Sequence, residues 1–166
     1  MWLDLKDIIE MPGAEVRFDC DLLPDDLDSP SVKRHLKAPH AEGRVKNTAG
    51  VLTLSGEIHA DMLCVCDRCG REFRKSGVTE VEAPLAADMD DEDDAEIFPV
   101  RDNGIDLDEV LGTCFLLQMD MKCLCREDCK GLCPVCGKDL NEGPCDCAKP
   151  VDPRLAVLGQ LLDRES

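Results

Sequence analysis

The sequence predicts an α+β fold, in which an antiparallel, curled or barrel-like β-sheet carries two helices and a C-terminal cysteine-rich zinc-binding segment. Three observations predict this class. Residues 14–86 alternate repeatedly between polar and apolar side chains, as in short strands joined by turns. Two later stretches repeat apolar residues at helical spacing. Between them lies CREDCKGLCPVCGKDLNEGPCDC, which places six cysteines in 23 residues.

The length of 166 residues predicts one domain made of three parts. We expect residues 1–122 to form the mainly antiparallel β part, with one helix over 107–119 and an acidic loop over 88–96. Residues 123–150 are the cysteine-rich zinc-binding segment. Residues 151–166 are expected to form a C-terminal helix that packs on the body of the domain.

The strands are predicted from short alternating runs. The stretch AEVRFDCDL (Ala14–Leu22) has the pattern of a strand, and the proline-rich stretch after it is typical of a loop. Further strands are expected near Gly43–Lys46, Val51–Ser55 and Glu57–Val65. A last pair is expected in REFRKSGVTEVEAPLAA, broken at its Ser-Gly step, and EIFPV is expected to return to the sheet.

Both predicted helices have start signals. Asp106 stands three residues before Glu109, as in a capping box, and apolar residues then follow at helical spacing. In the second helix, Asp152 is the expected N-cap and Pro153 occupies the first turn. The leucines after Pro153 fall on one face, which predicts packing against the domain or a partner.

The formal net charge of −17 repels nucleic acid and attracts basic partners. The densest charge is DMDDEDDAE (88–96), with seven acidic residues and no basic one. It is expected to be either a solvated linker or a surface that attracts a basic partner. Its candidate partner-binding residues are Asp88, Asp90, Asp91, Glu92, Asp93 and Asp94. A local basic set that could still contact RNA consists of Arg68, Arg71, Arg74 and Lys75.

No apolar stretch of about 18 residues occurs, and the N-terminus lacks a signal-like apolar run. We therefore expect a cytoplasmic protein without membrane contact. In a reducing cytosol, the twelve cysteines indicate metal binding rather than disulfides.

Cysteine spacing predicts two tetrahedral zinc sites. CPVCG and CDRCG each place two thiols two residues apart before a glycine, as in a zinc knuckle. The first quartet would be Cys66, Cys69, Cys125 and Cys129, and the second Cys133, Cys136, Cys145 and Cys147. A competing arrangement has one zinc, held by Cys129, Cys133, Cys136 and either Cys145 or Cys147.

The remaining cysteines are expected to have other roles. Cys20, Cys64 and Cys114 lie at apolar positions of predicted strands and a helix, where a free cysteine packs as a small hydrophobe. Cys123 could replace Cys125 as a ligand. Four-thiolate sites also accept iron, so spacing alone does not choose the metal.

The chain has none of the sequence patterns expected of an enzyme. Catalytic zinc usually keeps an open position and recruits histidine or a carboxylate, whereas none of the three histidines here lies at ligand spacing from a cysteine cluster. There is no phosphate-binding glycine loop, nucleophile elbow or HExxH motif. We expect a protein that is not an enzyme and has no small-molecule substrate.

The segment CREDCKGLCPVCGKDLNEGPCDC, followed by DPRLAVLGQLL, resembles the bacterial and plastid YceD-like family. CDRCGREF after a β-rich run, and an acidic segment before GIDLDEVL, fit the same family. The resemblance implies a non-enzymatic role in accumulation of large-subunit ribosomal RNA and so in ribosome assembly. It therefore implies a ribosomal protein or a pre-large-subunit particle as partner.

Three functions follow from these observations. The first is an assembly factor whose acidic surface holds a basic ribosomal protein. The second is an RNA-binding zinc module that contacts ribosomal RNA through the basic set. The third is a redox-switched zinc chaperone, because CxC and CxxC patterns can release zinc on oxidation.

Overall fold

The computed structural model describes residues 1–23, 27, 29–86, 97–120 and 122–147. The described secondary structure consists mostly of strands. The strands are β1 (Trp2–Asp4), β2 (Glu15–Asp21), β3 (Val32–His35), β4 (His40–Thr48), β5 (Val51–Val65), β6 (Glu72–Ala86), β7 (Phe98–Pro99) and β8 (Gly104–Asp106), and the helices are α1 (Lys6–Ile9) and α2 (Leu107–Gln118).

Strands β5 and β6 are the longest and form the centre of the main sheet. The strand order is β2-β4-β5-β6-β7, and β3 pairs with β5 next to the end of β4. All pairs are antiparallel except β6–β7, which is parallel. Within the described ranges the sheet does not close into a barrel, because β2 and β7 do not pair. Strands β1 and β8 form a separate two-stranded ribbon.

One face of the sheet is apolar and carries the core. Val45 of β4, and Leu54 and Ile58 of β5, are fully buried on two neighbouring strands. They belong to one apolar cluster with Leu111 and Phe115 of α2. The opposite face is exposed and polar, as expected for an antiparallel sheet covered on one side.

Two strand breaks predicted from the sequence, at Gly56 and at the Ser76-Gly77 step, are wrong. Strands β5 and β6 continue through these positions without a turn. Gly56 pairs with Gly43 and Val81 inside β5, and Gly77 pairs with Ala60 inside β6. Neither glycine has the positive φ that a tight hairpin turn requires. The long strands reach from the core to the cysteine-rich end, and the turn between them carries the CDRCG motif (66–70), named here the first knuckle.

The helix predicted over 107–119 is confirmed as α2, and Asp106 caps it by accepting a hydrogen bond from the Asp108 N–H. The stretch predicted as a loop after β2 contains β3, which adds to the free edge of β5.

The acidic loop (88–96) and the predicted helix over 151–166 lie outside the described residues. No described helix is long and apolar enough to cross a membrane.

Candidate metal centres

The two knuckles share one backbone conformation. Gly70 and Gly137 have φ of 69° and 74°, a left-handed conformation that favours glycine. Each donates its N–H to the carbonyl of the first cysteine of its knuckle, at 2.8 Å for Cys66 and 2.9 Å for Cys133. The same two cysteines donate their own N–H groups to residues five positions later, both at 2.9 Å. This tight turn places both thiols of a knuckle on one side.

The first cysteine group joins the sheet to the C-terminal segment. The Sγ atoms of Cys66, Cys69, Cys125 and Cys129 all lie within 4.8 Å of one another. The Cys66–Cys129 and Cys69–Cys125 Sγ–Sγ distances are both 3.8 Å. A tetrahedral ion with metal–sulfur bonds of about 2.3 Å requires Sγ–Sγ distances of about 3.8 Å, whereas a disulfide requires about 2.05 Å. The group therefore has the dimensions of a tetrahedral metal site.

The second group lies entirely within the C-terminal segment. The Sγ atoms of Cys133, Cys136, Cys145 and Cys147 also lie within 4.8 Å of one another. The two groups coincide with the two quartets expected from the spacing. The alternative with one zinc does not match these distances, because Cys129 lies against Cys66 in the first group. Both groups could hold a metal ion.

The two groups differ in burial. In the first, Cys66, Cys69 and Cys129 are at most 8% exposed, and Phe73 and Leu124 pack against them. In the second group only Cys133 is buried, and Cys136 is exposed. Solvent and competing chelators therefore reach the second group more readily than the first.

Backbone amides prepare one thiol of each knuckle for metal binding. Burial raises the pKa of Cys66, but N–H groups of Cys125, Cys69 and Arg68 outweigh it and bring that pKa to about 6. The N–H groups of Cys136 and Val135 lower the pKa of Cys133 to about 6. A thiolate is the form that binds a metal, so both knuckles hold a ligand in its binding form at neutral pH.

Two other thiols of these groups are protonated at neutral pH. Burial, together with the nearby sulfurs of Cys66 and Cys129, raises the pKa of Cys125 to about 12. Contact with the Cys136 thiol, followed by burial, raises the pKa of Cys147 to about 12. Four thiols packed this closely cannot all ionise without a cation between them.

Two residues of the first knuckle attach it to the C-terminal segment. The Asp67 carboxylate accepts the Cys123 N–H at 2.6 Å, and the Asp67 N–H donates to the Cys123 carbonyl at 2.9 Å. The Arg68 guanidinium donates to the carbonyls of Cys129 and Glu127 at 2.8 and 3.2 Å. These contacts bring Cys125 and Cys129 to the knuckle.

Asn141, which lies between Cys136 and Cys145 of the second group, contacts the first group. Its Nδ2 donates to the Cys129 Sγ at 3.5 Å, and its Oδ1 accepts from the Lys130 N–H and the Arg126 guanidinium. The donation helps to lower the pKa of Cys129 against the effect of burial. Asp67 and Asn141 were not predicted as site residues. Their position inside the knuckle and between ligand pairs was the only signal in the sequence.

Cys123 lies outside both groups. Its side chain is 5% exposed and belongs to the main apolar core, with Cys20, Cys64 and Cys114. Its backbone N–H and carbonyl pair with Asp67 of the first knuckle. The structure therefore favours Cys125 over Cys123 as the fourth member of the first group.

A comparison with protein-family models identifies the family of this chain. The family model described as "Large ribosomal RNA subunit accumulation protein YceD" matches residues 54–162, a range that contains all eight cysteines of the two groups. The chain belongs to the YceD family.

Similar proteins occur in bacteria and plants. Proteins of Mycobacterium tuberculosis and Mycobacterium bovis, both named only as uncharacterized, are 32% identical over 127 residues, or 74% of this chain and 61% of theirs. The chain therefore spans about three fifths of the length of these relatives. A maize protein named as a chloroplastic YceD homolog is 37% identical over 71 residues, covering 39% of this chain and 24% of its own. No solved structure matches.

The predicted basic set of this YceD-family chain is largely occupied by internal contacts. Arg68 binds backbone carbonyls, Arg71 pairs with Asp139 at 3.1 Å, and Lys75 pairs with Asp120 at 2.5 Å. Arg74 is exposed, and within the described part of the chain it forms no ion pair. The predicted acidic positions, from Asp88 to Asp94, lie outside the described residues.

We predict that metal affinity falls as pH falls. Cys125 and Cys147 have pKa values of about 12 in the metal-free protein, so metal binding must release at least one proton from each group. The apparent Zn²⁺ affinity of each group should fall at least about tenfold per pH unit between pH 8 and 6.5. It should fall more steeply below pH 6, where Cys66 and Cys133 also protonate. Competition with a chromophoric chelator at several pH values measures this, and a flat profile contradicts it.

We also predict that replacing Cys125 by serine lowers the metal content, whereas replacing Cys123 by serine does not. Cys125→Ser should lower the content from two ions per chain to one, because it removes a member of the first group. Cys123→Ser, two residues away, should leave two ions bound because its thiol packs in the core. Elemental analysis after gel filtration measures both. Retention of two ions by Cys125→Ser, or loss of one by Cys123→Ser, contradicts the assignment.

Proposed function

We propose that this chain is a non-enzymatic factor in large ribosomal subunit assembly whose fold is held by two structural Zn²⁺ ions. Membership of the YceD family carries the proposal, because the family is named for accumulation of large-subunit ribosomal RNA. A maize relative bears the same name. The matched range includes both cysteine groups, so the proposed role concerns the part of the chain that the metals would organise.

Two features support zinc as the metal. Four thiolates in tetrahedral arrangement form the usual closed structural zinc site, and Zn²⁺ has no redox chemistry that would damage its ligands. Each group also follows the knuckle pattern, with backbone N–H groups directed at sulfur. The ligands proposed are Cys66, Cys69, Cys125 and Cys129 for the first ion, and Cys133, Cys136, Cys145 and Cys147 for the second.

The geometry supports a structural rather than a catalytic role for these ions. Four sulfurs fill a tetrahedral ion, whereas a catalytic zinc keeps a position for water or substrate. The three histidines also lie outside the cysteine groups. His40 and His59 are on the exposed face of the sheet, and His35 lies in β3.

A basic protein is the proposed direct partner. The net charge of −17 attracts cationic surfaces, and two bound Zn²⁺ with eight thiolates would make the chain more negative still. A ribosomal protein on a pre-large-subunit particle has this chemistry. RNA binding through the basic set is less well supported, because internal partners hold three of its four cations.

The redox alternative concerns the second group. Cys136 is exposed and Cys145 and Cys147 are half-buried, so oxidants reach these thiols more easily than those of the first group. Zinc release on oxidation stays a prediction of the CxC and CxxC pattern. The proposed assembly role does not depend on it.

A complementation experiment tests the proposal. In a strain of the source organism without the gene, we expect less mature large-subunit RNA relative to small-subunit RNA. The wild-type chain should restore the ratio. Cys69→Ser should not, because the fold loses a metal ligand, whereas the core variant Cys123→Ser should. An unchanged ratio in the strain without the gene contradicts the assembly role.

A further inference from the structure

Four carboxylates form a row across the exposed face of the main sheet. Asp19 of β2 pairs in register with Glu42 of β4, Glu42 with Glu57 of β5, and Glu57 with Glu80 of β6. Residues paired in this way lie side by side on the same face of neighbouring strands, about 4.8 Å apart between strands. The row, named here the carboxylate row, is therefore about 14 Å long and carries one acidic side chain per strand.

Such a row is unfavourable for folding. Like charges directly opposite each other on paired strands destabilise a sheet, and here three consecutive pairs have the same sign. An exposed sheet face tolerates threonine, lysine or arginine at these positions equally well. The carboxylate row is therefore better explained by binding of a cationic partner than by a contribution to the stability of the fold.

Little in the described structure neutralises the carboxylate row. The two contacts are from histidines: His40 lies 3.6 Å from Asp19, and His59 lies 3.7 Å from Glu57. Both histidine side chains are more than 40% exposed and are charged only when protonated. Within the described residues, Glu42 and Glu80 form no ion pair.

The nearest arginines pair away from the carboxylate row. Arg17 and Arg44 lie two residues from Asp19 and Glu42 on the same face. Both guanidiniums pair with Glu15, at 3.2 and 3.5 Å, on the side opposite to the row. Arg17 and Arg44 are thus close to the row but pair with Glu15 instead. The four carboxylates therefore stay available to bind a cationic partner.

The carboxylate row also borders a groove. A concave volume of about 1090 Å³ is lined by the row and by Arg17 and Arg44. The backbone of the cross-strand pair Gly43 and Gly56 also lines this volume. A Cβ on these glycines would meet the Phe18 ring at 2.6 and 3.2 Å, so both face the apolar side of the sheet and contribute only backbone to the groove.

We propose that this groove is the docking surface for an extended protein segment rich in lysine and arginine. An extended chain repeats side chains on one face every 6.6–7 Å or so, so three basic residues at alternate positions span a row of about 14 Å. The acidic wall repels RNA phosphates and favours a cationic peptide. This inference rests on the proposed assembly role and names a surface for the basic partner that is distinct from the acidic loop.

Neutral variants of the carboxylate row test this proposal. The probe is a fluorescent nine-residue peptide with arginine at alternate positions, and its binding is measured by anisotropy at low salt. Replacing Glu42 and Glu57 together by glutamine should weaken binding about tenfold, because two charge contacts are lost. The matched control replaces Asp7 of α1 and Glu10, the residue that follows this helix, by amides. It makes the same change in net charge and should alter binding less than about twofold.

Thermal unfolding of the same variants keeps the test interpretable. Glu42→Gln with Glu57→Gln should melt no lower than the wild type, because the change removes repulsion. The proposed docking surface is contradicted if this variant binds the peptide as tightly as the wild type does. It is also contradicted if the α1 control weakens binding by the same factor. The peptide assay is independent of ribosomal RNA levels in cells. The two proposals can therefore fail separately. If the Glu42 and Glu57 variant binds the peptide more weakly, but the RNA ratio is unchanged in the strain without the gene, the assembly role is contradicted and the groove is supported.

Discussion

The convergence of four thiols from two distant parts of the chain determines how the cysteine-rich segment is placed on the sheet. Cys66 and Cys69 stand at the turn between the two longest strands, and Cys125 and Cys129 lie about 60 residues later. Their sulfurs meet at distances that fit one tetrahedral ion. Metal–thiolate bonding at this point would connect the central sheet to the segment and add to the hydrogen bonds of Asp67 and Arg68.

That segment buries almost no aliphatic side chains. Within residues 122–147, the buried positions are three cysteines and a glycine, while Leu132 and Val135 are 45% and 57% exposed. Hydrophobic burial therefore stabilises it little. A structural zinc site contributes about 10 kcal/mol or more of apparent folding free energy, which is enough to order such a segment. The contacts of Asp67 and Arg68 then fix its orientation on the knuckle.

Much of the candidate site could be predicted, because cysteine spacing reflects local geometry. Two CxxCG motifs indicate two knuckles, and the turn in each follows from the glycine. The choice between Cys123 and Cys125 could not be made from spacing. It depends on the backbone pairing of Cys123 with Asp67. With this pairing, the Cys123 side chain lies in the core and the Cys125 side chain lies at the first knuckle.

The fold was less predictable where local signals competed with pairing between distant residues. Gly56 and Gly77 resemble turn residues, yet both continue long strands because their neighbours across the sheet are in register. Strand β3 lies in a stretch that its prolines and charges indicate to be a loop, and it forms because β5 offers a free edge. The carboxylate row also depends on register, so it is visible only when four strands are aligned.

Hydrogen exchange of the metal-loaded and metal-stripped protein tests the central claim most directly. If metal connects the segment to the sheet, chelation should increase amide exchange at Asp67, Cys123 and Leu132, whose N–H groups bond across the junction. The paired amides of β4 and β5 in the apolar core should stay protected. Unchanged protection of the junction after complete metal removal would contradict the account, because it would show that the segment holds its place without the ions.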